Sequence, residues 1–311
     1  MGNAHFADRL TEASERKRSQ VVVGLDPRME MMPPDVVEEE DRTPRAAAAA
    51  ILRFNERVLD AVADSVVAVK VQIAFYERYG CEGLRAYAQT LRAARERDLP
   101  VIGDVKRNDI GSTAGAYAEA HLPSTESGDW EVAEDFHADA ITINPLFGSD
   151  GVEPFVERAR RSGSGLFALV KTSNPSSGEI QDLRCPDRPV YERIGAMVEE
   201  WGTSLRGESG YSLLGAVVGA TYPEELQRLR RLMPHAIFLV PGFGAQGGGV
   251  EEVLGAFDSE GRGAVVNSSR GIIYAFRREP GAERYGVENW EEAVRDAAET
   301  MRREIWEATS S

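Results

Sequence analysis

Eight short apolar runs recur along the chain, and each is followed by a stretch whose apolar positions fall at helical spacing. They occupy residues 21–25, 66–72, the segment opening at Val101, then 140–144, 165–171, 213–219, 236–240 and 263–267. None has the strict polar/apolar alternation of a half-exposed sheet, so the pattern predicts strands buried on both faces, as in parallel βα repeats. Helices are expected at residues 3–18, 45–64, 84–97, 112–121, 152–161, 190–205, 223–232 and 287–306, with a further one reaching residue 137. Eight such units in a chain somewhat longer than the ~250-residue norm predict a closed (β/α)8 barrel. The alternative is an open doubly wound sheet, but the first run has only Gly24 before Asp26-Pro27 and lacks a dinucleotide-type glycine fingerprint. One domain over residues 1–311 is expected, with an N-terminal helix and loop insertions near residues 28–44, 122–129 and 172–189. The last of these reads as mobile from its Ser, Asn, Pro and Gly content.

The third run goes straight from apolar residues into charge: Val101-Ile102-Gly103-Asp104-Val105-Lys106-Arg107-Asn108-Asp109. Residues two apart on a strand share a face, so Asp104 and Lys106 are expected side by side, with Asp109 just beyond. A bare Asp-x-Lys is most often a solvated ion pair at a strand end. The lysine usage points elsewhere. Lys17, Lys70, Lys106 and Lys171 are the only lysines among 36 basic residues, and three of the four stand at the ends of apolar runs. An ammonium is a compact charge with a tunable pKa that arginine cannot imitate. In a barrel, the carboxyl ends of the strands carry the active site. Asp26, Lys70, Asp104, Lys106, Asn144, Lys171, Gln246 and Arg270 all fall there, from seven of the eight runs, and together form one expected ring of polar groups.

Composition narrows the partners. A net charge of −15 argues against nucleic acid, which calls for cationic surfaces. No run approaches the ~20 apolar residues that cross a membrane. The start, Met1-Gly2-Asn3-Ala4-His5, does not read as a signal peptide, so a cytoplasmic location is expected. Cys81 and Cys185 are too few for a disulfide framework or zinc cluster, and the four histidines have no metal-ligand spacing. Acidic excess with scarce lysine fits a salt-adapted, halophilic source, which indifference of the fold to desalting would refute.

An anion site is expected after the seventh and eighth runs. Gly244-Ala245-Gln246-Gly247-Gly248 lets backbone N–H groups approach a phosphate, and Ser269-Arg270-Gly271 adds a guanidinium fork. With these residues in place, Asp104-Val105-Lys106-Arg107-Asn108-Asp109-Ile110-Gly111-Ser112-Thr113 resembles the D-x-K-x-x-D-I-[GP]-x-T signature of the orotidine 5'-phosphate decarboxylase family. Gly24-Leu25-Asp26-Pro27, Val69-Lys70, Pro241-Gly242-Phe243-Gly244-Ala245-Gln246-Gly247-Gly248 and Ser269-Arg270 resemble its other blocks in order, from residue 21 to about 275. Val69 to Glu77 and Lys171-Thr172-Ser173-Asn174-Pro175 resemble the bacterial/archaeal subfamily called type 2.

The resemblance implies cofactor-free loss of carbon dioxide from orotidine 5'-phosphate to give UMP, the last step of de novo pyrimidine synthesis. It makes Lys70, Asp104, Lys106 and Asp109 an alternating charged network, with Lys106 as proton donor to C6. Asp26 would bind ribose hydroxyls, Ser173 the pyrimidine edge, and Gln246 and Arg270 the phosphate, with Pro241 also in the substrate-binding set. Asp109, Ile110 and Thr113 would reach into a neighbouring subunit's site, implying a homodimer. Sugar-phosphate relatives share D-x-K-x-x-D but use Mg2+ and typically a Glu where this chain has Lys70. A non-enzymatic phosphate sensor would need the glycine/arginine grip without the Lys/Asp alternation.

Overall fold

Continuous apolar runs leave a strand no solvent face, and in the computed structural model the eight runs form strands whose residues are almost all buried. The structure describes residues 4–37, 41–123, 133–220, 223–243 and 249–310. The strands are β1 (Val21–Leu25), β2 (Ala68–Gln72), β3 (Val101–Arg107), β4 (Ala140–Ile143), β5 (Gly165–Lys171), β6 (Leu214–Val218), β7 (Phe238–Pro241) and β8 (Ala264–Ser268). Each pairs in parallel with the next, and β8 pairs back onto β1 through Val21↔Val266 and Val23↔Ser268. The result is a closed (β/α)8 barrel.

Helices Pro44–Val62, Gly80–Arg95, Gly111–His121, Ser149–Ser162, Val190–Gly202, Pro223–Leu232 and Trp290–Thr309 lie between successive strands or follow the last. Most bury an apolar stripe, as Pro44–Val62 does with Ile51, Phe54, Val58 and Val62. Between helices and sheet, Phe54 stacks on Tyr274 and Trp290, with centroids 5.6 and 5.2 Å apart. The N-terminal helix Phe6–Lys17 does different work: Phe6 meets Phe167 edge-on at the start of β5, closing the amino-terminal mouth. At the other end the strands run out into polar residues.

Two expectations about local structure change. The helix expected to reach residue 137 is not seen in residues 133–137, which form a turn; residues 124–132, most of the expected insertion, lie outside the described residues. The loop 172–189 is not bare coil. It holds a 3-10 turn at Pro175–Ser177, a short helix at Gly178–Gln181 and an Arg184↔Pro189 bridge.

The sheet also breaks register twice, both times beside a lysine. On β3, Gly103 pairs with Ile141 but Arg107 with Ile143, so two extra residues bulge between them. On β5, Leu169 pairs with Val217 but Lys171 with Val218, one residue too many. Bulges re-aim side chains, and these two have opposite outcomes for the lysines concerned.

Candidate active site

At the carboxyl end of the barrel lies a cavity of about 480 Å³, lined by residues from all eight strands or the loops that follow them. One wall is charged: Asp26 after β1, Lys70 and Gln72 on β2, Asp104 and Lys106 on β3, with Thr142 on β4. The wall facing it is mostly apolar, with Leu169, Val217 and Leu239 below and Ser173, Pro241 and Phe243 above. Asn267, Ser268, Ser269 and Arg270 come from the end of β8, and Arg278 from just downstream.

Asp104 is the hub of the charged wall. Its Oδ2 accepts from Lys70 Nζ at 2.9 Å and Gln72 Nε2 at 2.8 Å. Its Oδ1 accepts from Lys106 Nζ at 2.5 Å and Thr142 Oγ1 at 2.9 Å. Asp26 Oδ1 stands 3.8 Å from Lys70 Nζ on its other side. Burial pushes the Asp104 carboxyl up, but the charges of Lys70 and then Lys106 outweigh it and hold the group well below the usual carboxylate range. Burial likewise favours deprotonation of Lys70, yet Asp104 and then Asp26 keep its ammonium above its ordinary pKa. Asp104 and Lys70 both favour their charged forms because the charges beside each offset its desolvation.

Lys106 is presented differently. A regular pleat would set it beside Asp104 with both side chains at a fixed spacing; here the bulge intervenes, and Lys106 sits at φ +46°, a left-handed conformation uncommon outside glycine. Its N–H donates to Thr142 Oγ1 at 3.0 Å where a ladder carbonyl would otherwise accept. The side chain stays half-exposed on the cavity wall with its ammonium on Asp104. Strained backbone held by its surroundings is characteristic of functional positions.

Of the residues expected in the ring, Asp26, Lys70, Asp104, Lys106 and Arg270 do line this cavity, as do Ser173 and Pro241. Gln246, with the rest of 244–248, lies outside the described residues. Two expectations are corrected. Asn144 does not face the cavity; its Oδ1 accepts from Leu146 N at 3.1 Å and caps the turn Pro145–Phe147. Lys171 does not face it either. The extra residue on β5 reverses the alternation after Leu169 and turns Lys171 outward, where it pairs with Asp182 and Glu225. Asp109, Ile110 and Thr113 stand outside their own chain's cavity: Asp109 Oδ1 accepts from Ile110 N at 2.8 Å, and Ile110 and Thr113 are exposed.

The cavity also recruits residues that reading the sequence passed over. Gln72 and Thr142 complete the ligation of Asp104. Asn267 is buried with its Oδ1 unpaired, and Asp26 Oδ1 is likewise without a hydrogen bond. Both are acceptors on the wall, suited to ligand hydroxyl or N–H groups. An amide or hydroxyl inside an apolar run is ordinary, so nothing in the sequence marked Thr142 or Asn267. Arg278 carried a weak signal, standing with Arg277 soon after Arg270.

The family model for orotidine 5'-phosphate decarboxylase / HUMPS matches residues 19–285. This chain belongs to that family. The match extends slightly beyond both ends of the stretch that the motifs had marked. Among curated relatives of this orotidine 5'-phosphate decarboxylase / HUMPS member, the orotidine 5'-phosphate decarboxylase of Rhodopirellula baltica is 45% identical over 303 residues, covering 96% of this chain and 98% of the relative. Among solved structures, a putative orotidine 5'-phosphate decarboxylase from Streptomyces avermitilis is similar with a TM-score of 0.80 and 33% identity, covering 100% of this chain and 98% of the other. Leishmania donovani UMP synthase is similar with a TM-score of 0.76 and 33% identity over 97% of this chain, which spans 56% of that longer one.

Proposed function

We propose that this chain decarboxylates orotidine 5'-phosphate to UMP, the last step of de novo pyrimidine synthesis, without a cofactor. The observation that carries the proposal is the Lys106 ammonium, fixed on Asp104 in the wall of a cavity that also holds Arg270. Family membership and near full-length similarity to named decarboxylases support the same substrate.

Breaking the bond from C6 of the pyrimidine to its carboxyl leaves an electron pair in the ring plane, with no conjugated sink to take it up. Stabilisation must come from a cation already in place, which costs no reorganisation at the moment of reaction. Lys106 supplies that cation and then its proton, which transfers to C6 as carbon dioxide departs. Asp104 and Asp26 hold Lys70 charged, and Lys70 in turn keeps Asp104 ionised beside the Lys106 ammonium. Before it leaves, a substrate carboxylate beside Asp104 feels repulsion of about 4 kcal/mol at ~4 Å and an effective dielectric of ~20. The preorganised ammonium outranks that ground-state contribution, because it acts on the charge that develops.

In this reading Ser173 and Pro241 meet the pyrimidine, Asp26 takes ribose hydroxyls with its carboxylate, and Gln246 and Arg270 hold the phosphate. Asp109, Ile110 and Thr113 serve the site of a second copy in a homodimer. An apolar patch supports this: Ile110, Tyr117, Leu146 and Phe147 are the large hydrophobics exposed around that segment. Gly151 packs against both Phe147 and the Asp109 carbonyl, so the two parts of the patch are contiguous. Incubating the purified protein with orotidine 5'-phosphate, with and without a chelator, and following ultraviolet absorbance tests the activity. Turnover indifferent to the chelator is expected; no turnover, or turnover of a sugar phosphate that the chelator stops, would reject it.

A further inference from the structure

Lys171 is one of the most buried large side chains among the described residues, at 1% exposure, and yet it is far from idle. Its ammonium pairs with Asp182 in the loop 172–189, stands 3.6 Å from Glu225 Oε2 on helix Pro223–Leu232, and lies 5.0 Å from the Tyr191 ring on helix Val190–Gly202. A pair with a buried lysine adds little stability compared with apolar packing, but it fixes geometry. Here the fixed geometry belongs to the next residues in the chain. Gln181, the neighbour of Asp182, clamps Thr172 from both sides: its Oε1 accepts from Thr172 N at 3.0 Å and its Nε2 donates to Thr172 Oγ1 at 2.8 Å. The loop is thus tied back on its own root at two adjacent points, 171 with 182 and 172 with 181.

Ser173 is what the tie leaves projecting at the cavity. Behind it stands Gly219, at the end of β6, whose N–H donates to the Lys171 carbonyl at 2.8 Å. A Cβ on Gly219 would come within 2.9 Å of Ser173 Cβ and 3.0 Å of its backbone nitrogen, so only glycine permits this approach. Gly242, after β7, lies 3.7 Å from Ser173 by the same measure. Ser173 is therefore wedged between the ends of β6 and β7 and roped from below through Lys171.

We propose that Lys171, with Asp182 and Gln181, is a positioning unit that sets Ser173 against the base of the bound nucleotide, and that it acts on ring recognition and not on the phosphate. The proposal rests on the nucleotide reading given above. The bulge on β5 is its structural signature, since that extra residue takes Lys171 out of the lumen and into the anchor.

The test compares UMP, which has the ring, with ribose 5-phosphate, which lacks it, as inhibitors of the wild-type protein and of Lys171→Met, Asp182→Asn and Gly219→Ala. UMP inhibition should weaken about tenfold in each variant while ribose 5-phosphate inhibition stays within about twofold, with kcat/KM falling in step with UMP affinity. Equal weakening for both ligands, or none for either, would overturn the assignment. Should Lys171→Met fail to fold, Asp182→Asn decides, because Asp182 is half-exposed and its loss leaves Glu225 beside the ammonium. A wild-type protein without turnover of orotidine 5'-phosphate would instead overturn the substrate reading, and this one with it.

Discussion

Asp104 accepts from four donors on two oxygens while almost wholly buried, and Lys106, two residues on, is half-exposed with the same carboxylate as its partner. The two should therefore fail differently when changed. Asp104→Asn leaves the buried Lys70 ammonium with only Asp26 at 3.8 Å. Stranding a buried charge costs about 3 kcal/mol, so a lower melting temperature is expected along with at least ~100-fold less turnover. Lys106→Ala removes a group with water on one side, so melting should change little, UMP binding should persist, and turnover should be lost. Unchanged turnover in Lys106→Ala would remove it as proton donor. The Asp/Lys pair was legible because the sequence is sparing with lysine and put one beside an aspartate at a strand end. Thr142, Gln72 and Asn267 were not, since a hydroxyl or amide in a strand gains meaning only from what the fold brings opposite.

The strands were legible as elements almost to the residue, because burial on both faces writes an unbroken apolar run that turns and charges then terminate. The register breaks on β3 and β5 leave no such mark: a bulge changes no residue type, only which partner stands opposite. Asp104 and Lys106 were expected together on a regular pleat and do meet, but within a bulge. Lys171 was expected in the ring and is outside it for the same kind of reason. Helix Gly111–His121 gives a prediction at this scale. Its last residue, His121, stacks on Phe136 and is held down to a pKa of about 4 by burial, then by Arg107 and His137. His137 is lowered in the same direction, again first by burial. The unfolded chain therefore binds more protons than the folded one between about pH 6.5 and 4. Stability should be level above that window and fall through it on acidification, by up to about 3 kcal/mol from His121. Thermal melts of His121→Asn across that range should show a shallower decline; an unchanged slope would exclude His121 as its source.

Taken whole, the molecule presents its apolar patch on the side from which Asp109 and Thr113 project. Sedimentation should find a dimer, and Leu146→Asp with Phe147→Asp should yield monomers whose turnover falls at least ~10-fold, because no second chain then supplies Asp109. Monomers of full activity would show that each chain is self-sufficient. The barrel as such was legible from the count of βα units, whereas the patch was not, since an exposed Leu or Phe in a sequence looks like any core residue. The cavity's division into a charged wall from β1–β4 and an apolar floor from β5–β7 has one more consequence. On the proposed reading, reactivity and ring preference are housed in different halves of the chain. Drift at Leu169, Val217 or Leu239 can reshape what the cavity admits without disturbing a single proton of the ionised cluster, so an ancestor of this barrel could change its diet while keeping its chemistry.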